Sequence, residues 1–225
     1  MSVQREPFLI NELYHVFNRA IDNRKVFDDR LVALSFLKAL RYYRSTVATR
    51  SLSKIRELDP VLIAEIWREV SWRKYFRVDI LAYCLMPTHF HFLLRQKVED
   101  GISKFISDVV NSFTKNFNPL NERKGPLFLP RFKSVRVTTE THLAHVSRYV
   151  HLNPYSGGVV DNISQLVGYP WSSFPYYLHV GEGDNLVETA TLLGIFGDRE
   201  KYKDFVTSNA DYQRTLEEVK YVDKW

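Results

Sequence analysis

The stretch that decides the fold runs from Phe76 to Gln96 and reads FRVDILAYCLMPTHFHFLLRQ. Two apolar runs flank Met86-Pro87-Thr88, a turn-forming break, so the pattern predicts a pair of strands. Side chains on a strand alternate between faces. His89 and His91 therefore share one face, while Phe90 and Phe92 share the other, where the core helices are expected. The two imidazoles, about 7 Å apart along the strand, can converge on one metal ion. An isolated His-x-His is more often a pair of half-exposed histidines, because two ligands do not make a site. A third ligand must come from elsewhere.

Upstream, Glu12 to Phe17 (ELYHVF) has strand-like composition and leads through Asn18-Arg19 to a polar turn at Asp22-Asn23. Asp28-Asp29 is placed to cap a helix running to about Arg44. Leu31, Leu34, Leu37 and Leu40 recur along it every three residues and are expected to form its buried face. The charged stretch from Ser45 to Lys74 holds a helix, Val61 to Val70, opened by Pro60, and reads as an insertion or accessory hairpin.

Downstream, a helix from Gly101 to about Phe117 would bury Ile102, Phe105, Ile106, Val109 and Phe113. A loop from Asn118 to Gly125 and a strand from Leu129 to Val137 follow. Thr138 or Thr139 then caps a helix that reaches His151 and stops before Pro154. The aromatic, proline-rich stretch from Tyr169 to Tyr177 cannot be a regular helix, and Val187 to Val222 reads as two or three amphipathic helices. The order βα(insert)ββαβα predicts an α+β fold, an antiparallel sheet with helices on one face. Residues 1–178 would form the main domain, with a helical insertion at 45–74, and 179–225 a C-terminal helical extension.

In SRYVHLNP, Tyr149 and Asn153 are four residues apart and share a helical face, with His142 and His145 near it. Taken alone, Tyr149 reads as packing and Asn153 as a residue common near helix ends. Joined to the histidine pair they make a sharper arrangement. His89, His91 and Asn153 would hold a divalent cation, and Tyr149 Oη would attack a phosphate oriented there. A free phenol ionises at a pH of about 10, so nearby positive charge would assist it. Tyr155 follows Pro154 and shares no register with a ligand. Tyr83 lies on the far side of the Pro87 break.

The chain has 225 residues, 45% of them hydrophobic and 25% charged, with a net charge of +5 and a pI near 9.2. That excess of positive charge favours polyanionic partners. The single cysteine, Cys84, excludes an internal disulfide and a thiolate zinc cluster, and suits a reducing cytoplasm. The first residues do not read as a secretory signal, and no apolar run approaches membrane-spanning length. The expected setting is cytoplasmic, with no membrane partner.

The residues LMPTHFHFLL together with RYVHLNP resemble the HUH endonuclease superfamily. Within it, the similarity is to the small single-tyrosine transposases of the IS200-like and REP-associated groups. YHVFNRAIDNRKVF, the helix after Gly101, FLPRFKSVRV and YPWSSFPYYL carry the likeness from about Glu12 to Leu178. The resemblance implies a ferredoxin-like or RRM-like palm, His89 and His91 as metal histidines, Asn153 as third ligand and Tyr149 as nucleophile. It further implies Mg²⁺ or Mn²⁺ and single-stranded DNA bearing a hairpin, cleaved through a 5′-phosphotyrosine. The insertion and tail are longer than a minimal transposase needs and favour a monomer over a homodimer. The glycine-threonine signature frequent near the start of REP-associated enzymes is not evident.

Arg19, Arg131, Lys133, Arg136 and Arg148 lie in or beside these segments, where cations hold phosphates. Phe132, Trp171 and Tyr176 can stack bases or simply fill space. Two other functions fit the same residues: a domesticated hairpin-binding protein without transposition activity, and a metal-dependent phosphodiesterase in which water attacks.

Overall fold

The computed structural model describes residues 7–179, 185–208, 210–211 and 213–215. The elements follow the expected order. Strand β1 (Leu13–Arg19) precedes helix α1 (Arg30–Tyr43); the insertion carries α2 (Leu52–Ile55) and α3 (Pro60–Val70). Then come β2 (Val78–Met86), β3 (His89–Gln96), α4 (Gly101–Leu120), β4 (Lys133–Val137) and α5 (Glu140–Ser156). Short helices α6 (Phe174–Leu178), α7 (Ala190–Phe196) and α8 (Arg199–Thr207) complete the described chain. The strands form one antiparallel sheet in the order β2-β3-β1-β4.

Capping starts the helices where the sequence supplies an acceptor. Asp29 accepts from the Val32 amide and Thr139 from the His142 amide, each satisfying a backbone donor left open in the first turn. The buried face of α1 takes only half of the leucine series. Leu31 is 76% exposed and Leu34 43%, while Ala33, Phe36, Leu37 and Leu40 are buried. Residues spaced by three fall behind a 3.6-residue turn by about 60° a step, so a strict three-residue repeat spirals off any one face.

Helices cover both faces of the sheet, not one. On the first face Phe90 and Phe92 meet Phe36 of α1 and Phe105 of α4 in an aromatic core. On the second face Cys84 and Leu93 pack with Val150 and Leu152 of α5 and with Tyr202 and Val206 of α8. Every residue of β2 is buried, which follows from cover on both sides. A register shift between Ile80 and Ala82 sets Tyr83 opposite Phe92 and Cys84 opposite His91. Tyr83 consequently joins the first core, away from the histidines.

The aromatic, proline-rich stretch closes the outer edge of β2. The Leu85 amide donates to Trp171 O and the Ser173 amide to Tyr83 O, and the hydroxyls of Tyr169 and Tyr177 donate to Leu85 O and Leu81 O. An edge that would otherwise expose unpaired backbone is thereby satisfied. Residues 169–173 are irregular, as expected, but the stretch ends in the short helix α6, which runs on to Leu178.

Helix α5 runs through Pro154 to Ser156 instead of stopping before the proline. Proline removes one backbone donor. The last turn is held by other bonds: Asn153 Nδ2 to Tyr149 O and Ser156 Oγ to Leu152 O. It is also buried, with residues 150–156 all inside the fold. The expected helices after Val187 appear as α7 and α8, and residues 209, 212 and 216–222 of that expectation lie outside the described residues. Among the described residues no helix is long and apolar enough to cross a membrane.

Candidate functional site

The second face stays open at one end, where the β2–β3 turn, β1 and the last turns of α5 surround a cleft of about 760 Å³. His89, His91, Tyr149 and Asn153 all line it. Period-two alternation on β3 delivers both histidines to the cleft, and the four-residue spacing on α5 delivers Tyr149 and Asn153 from above. The His89 and His91 rings sit edge to face with centroids 5.1 Å apart. The Tyr149 ring stands edge-on to His91 at 5.4 Å and is only partly buried. All four residues meet within a single chain.

Each candidate ligand is oriented by a second partner. Thr88 Oγ1 lies 2.9 Å from His89 Nδ1, and His15 Nε2 lies 3.0 Å from His91 Nδ1. Asn153 Nδ2 donates to Tyr149 O at 2.7 Å, which leaves Oδ1 as the amide atom with metal-binding character. Burial drives the His91 pKa well below its ordinary value, with further lowering from His89, His15 and Arg19. Burial also pushes His15 down to about 4, assisted by His142. A metal-binding imidazole must be neutral, and ligating histidines are oriented through their other ring nitrogen. The donor set of two imidazoles and one amide oxygen therefore fits a divalent cation. Among the described residues no group of three or more His, Cys, Asp or Glu is arranged for a metal.

Three of the five expected DNA-binding cations, Arg19, Arg131 and Lys133, line the cleft. The other two are not brought there. Arg136 forms an ion pair with Glu12 at 3.1 Å, and Arg148 lies over the Phe205 ring at 4.6 Å and bonds His145. Phe132, Trp171 and Tyr176 pack against the core. Tyr155 donates its hydroxyl to Asp211 at 2.6 Å and is 9% exposed, and Tyr83 is buried in the aromatic core, so neither lines the cleft.

Sequence reasoning missed Lys25, Phe17 and His15. Lys25 and Phe17 line the cleft, and Phe17 stacks on His91 at 5.6 Å. The signal for His15 was present. In YHVF it is a polar residue in phase with Phe17, which pairs with His91 across the sheet.

The sequence profile described as "Transposase IS200 like" matches residues 10–153, a span that starts just before β1 and ends on Asn153. The chain belongs to the IS200-like transposase family, a family of DNA-processing enzymes. No curated protein sequence matches it. Among solved structures, a REP-associated tyrosine transposase bound to a REP hairpin is similar with a TM-score of 0.52 and 16% identity. The match covers 84% of this chain and 92% of that one, and shows a shared fold. A Deinococcus radiodurans R1 protein provisionally named a transposase matches more distantly, with a TM-score of 0.37 and 17% identity over 67% of this chain and 95% of that one.

Proposed function

We propose that this transposase-family protein cuts and rejoins single-stranded DNA through a covalent bond to Tyr149. The observation that carries the reading is the Tyr149 ring standing edge-on to His91, in a cleft that also receives His89 and Asn153. Tyr149 Oη attacks the scissile phosphorus, the P–O3′ bond breaks, and the strand leaves with a free 3′-hydroxyl. The phenolic proton is replaced by phosphorus, and the departing oxygen takes up a proton. The 5′-phosphotyrosine keeps the energy of the phosphodiester, so a second 3′-hydroxyl can displace Tyr149 and restore a DNA backbone without ATP.

His89, His91 and Asn153 would hold a divalent cation, Mg²⁺ or Mn²⁺, which when bound polarises the phosphate. Arg19, Lys25, Arg131 and Lys133 neutralise flanking phosphates along the cleft. The hydrogen bond from Asn153 to Tyr149 O couples third ligand and nucleophile on one helical turn. That the four site residues lie together in one chain supports a monomeric active form over a homodimer. By likeness to the hairpin-bound neighbour, the substrate is a hairpin with an adjoining single strand.

The test is incubation with hairpin-bearing single-stranded DNA and Mn²⁺, followed by denaturing electrophoresis. The reading expects a protein–DNA adduct that chelation abolishes. Cleavage without any adduct would instead mean that water attacks. Metal-independent hairpin binding without cleavage would mean a binding protein.

A further inference from the structure

His15 lies beside the histidine pair but outside the set of groups that would touch metal or phosphate. Its Nε2 atom is 3.0 Å from His91 Nδ1, the two rings are nearly parallel at 17°, and its centroid is 5.7 Å from that of Tyr149. Cross-strand pairing fixes this contact, because His15 and Phe17 of β1 project to the same face as His91 of β3. His91 is 5% exposed, so a polar ring atom there without a partner would be costly.

One proton lies between the two facing nitrogens, and its owner decides what His91 can do. A neutral imidazole carries a single N–H. If His15 Nε2–H donates, His91 carries its own hydrogen on Nε2, and that nitrogen has no lone pair for a metal. If His91 Nδ1–H donates, its Nε2 lone pair is available and His15 carries its hydrogen on Nδ1. We infer that His15 is a positioning residue that accepts a hydrogen bond from His91 Nδ1–H, fixing the tautomer in which His91 Nε2 is the metal-binding atom. The role rests on the metal-binding reading proposed above for His91, but the tautomer itself can be observed without metal.

A structural alternative exists: His15 fills space between β1 and α5, with Tyr149 and Phe17 against its ring. The two roles predict opposite orders for two substitutions. His15→Phe keeps an aromatic ring and removes the acceptor. His15→Gln loses the ring and offers an amide oxygen at a reach comparable to Nε2. An acceptor role predicts that His15→Phe lowers Mn²⁺ affinity by about 10- to 100-fold, the usual cost of losing such a partner, and that His15→Gln restores most of it. A packing role predicts that His15→Phe binds as the wild type does and His15→Gln binds worse.

The experiment combines calorimetric Mn²⁺ titration of the wild type, His15→Phe, His15→Gln and His91→Ala with ¹⁵N imidazole NMR of the metal-free wild type. The expected result is His91 as the Nδ1–H tautomer and the affinity order wild type, Gln, Phe, with no binding by His91→Ala. An Nε2–H tautomer at His91, or unchanged affinity in His15→Phe, overturns the inference while leaving the site reading intact. A wild type that binds no Mn²⁺ overturns the site reading, and the NMR result still decides the tautomer.

Discussion

Strand β3 separates two chemistries on its two faces. Phe90 and Phe92 close the first face against α1 and α4, and neither exposes any surface. His89 and His91, interleaved with them, face a second layer made by α5 that leaves a cleft at the turn end. The closed face contributes hydrophobic stability and holds the sheet rigid. The open face spends burial on polar groups that must each find a partner, and His15, Thr88 and the Tyr149 carbonyl supply those partners. Alternation along one strand thus lets a rigid core back the site directly, with no intervening loop.

The comparison breaks if substitutions on the two faces have similar consequences. The largest expected effect is on the open face. His91→Ala should lower metal-dependent cleavage by more than about 100-fold, exceeding the loss from removing an orienting partner alone. Cleavage rates at saturating Mn²⁺ measure this, and a rate near wild type would remove His91 from the site. On the closed face, Phe92→Ala should cost about 3–5 kcal/mol in denaturant unfolding. Tyr149→Phe, which keeps the ring, should stay within about 1 kcal/mol of wild type in the same assay.

A smaller effect comes from the layer behind α5. His151 is fully buried between Ser173 Oγ and the Tyr202 hydroxyl, each at 2.8 Å. Burial pushes its pKa from 6.5 down to about 3. The unfolded chain therefore binds a proton that the folded chain refuses. This contribution is intact above a pH of about 6.5 and is lost as the pH falls towards about 3, at up to about 1.4 kcal/mol per pH unit. His151→Phe should flatten the pH dependence of unfolding between about pH 6 and 4 by that amount, whatever its absolute stability. An unchanged slope would mean that His151 is protonated in the fold.

The smallest effect concerns the cations. Lys133→Ala should lower the salt dependence of single-strand binding by about 0.7 in the logarithmic slope. Arg136→Ala, paired with Glu12 away from the cleft, should change it much less. Equal slopes for the two variants would mean that DNA extends past the rim of the cleft.

Much of this was legible in the sequence, for identifiable reasons. The Pro87 break and the alternating HFHF stretch specify a strand pair and its two faces, and the Tyr149–Asn153 spacing specifies a shared helical face. Both are short-range patterns that the backbone period reads out directly. Features set by tertiary contact were not legible. The proline that should end α5 is carried through by burial and side-chain bonds, and Leu31 and Leu34 of α1 point outward because Phe36 and Ala33 fit the core. The second helical layer depends on which side α5 crosses. Among site residues, His15 went unweighed because its value lies in a partner 76 residues away. Arg136 and Arg148 sit in family-like segments, but their neighbours Glu12 and Phe205 engage them elsewhere.

The central claim is that Tyr149, and no other residue, becomes joined to DNA. The most direct measurement is proteolysis of the adduct formed with hairpin-bearing single-stranded DNA and Mn²⁺, followed by mass spectrometry of the nucleotide-bearing peptide. The account predicts a 5′-phosphate on Tyr149, and no adduct from Tyr149→Phe. A nucleotide on Tyr155 or on any other side chain, or an adduct that persists in Tyr149→Phe, would contradict it.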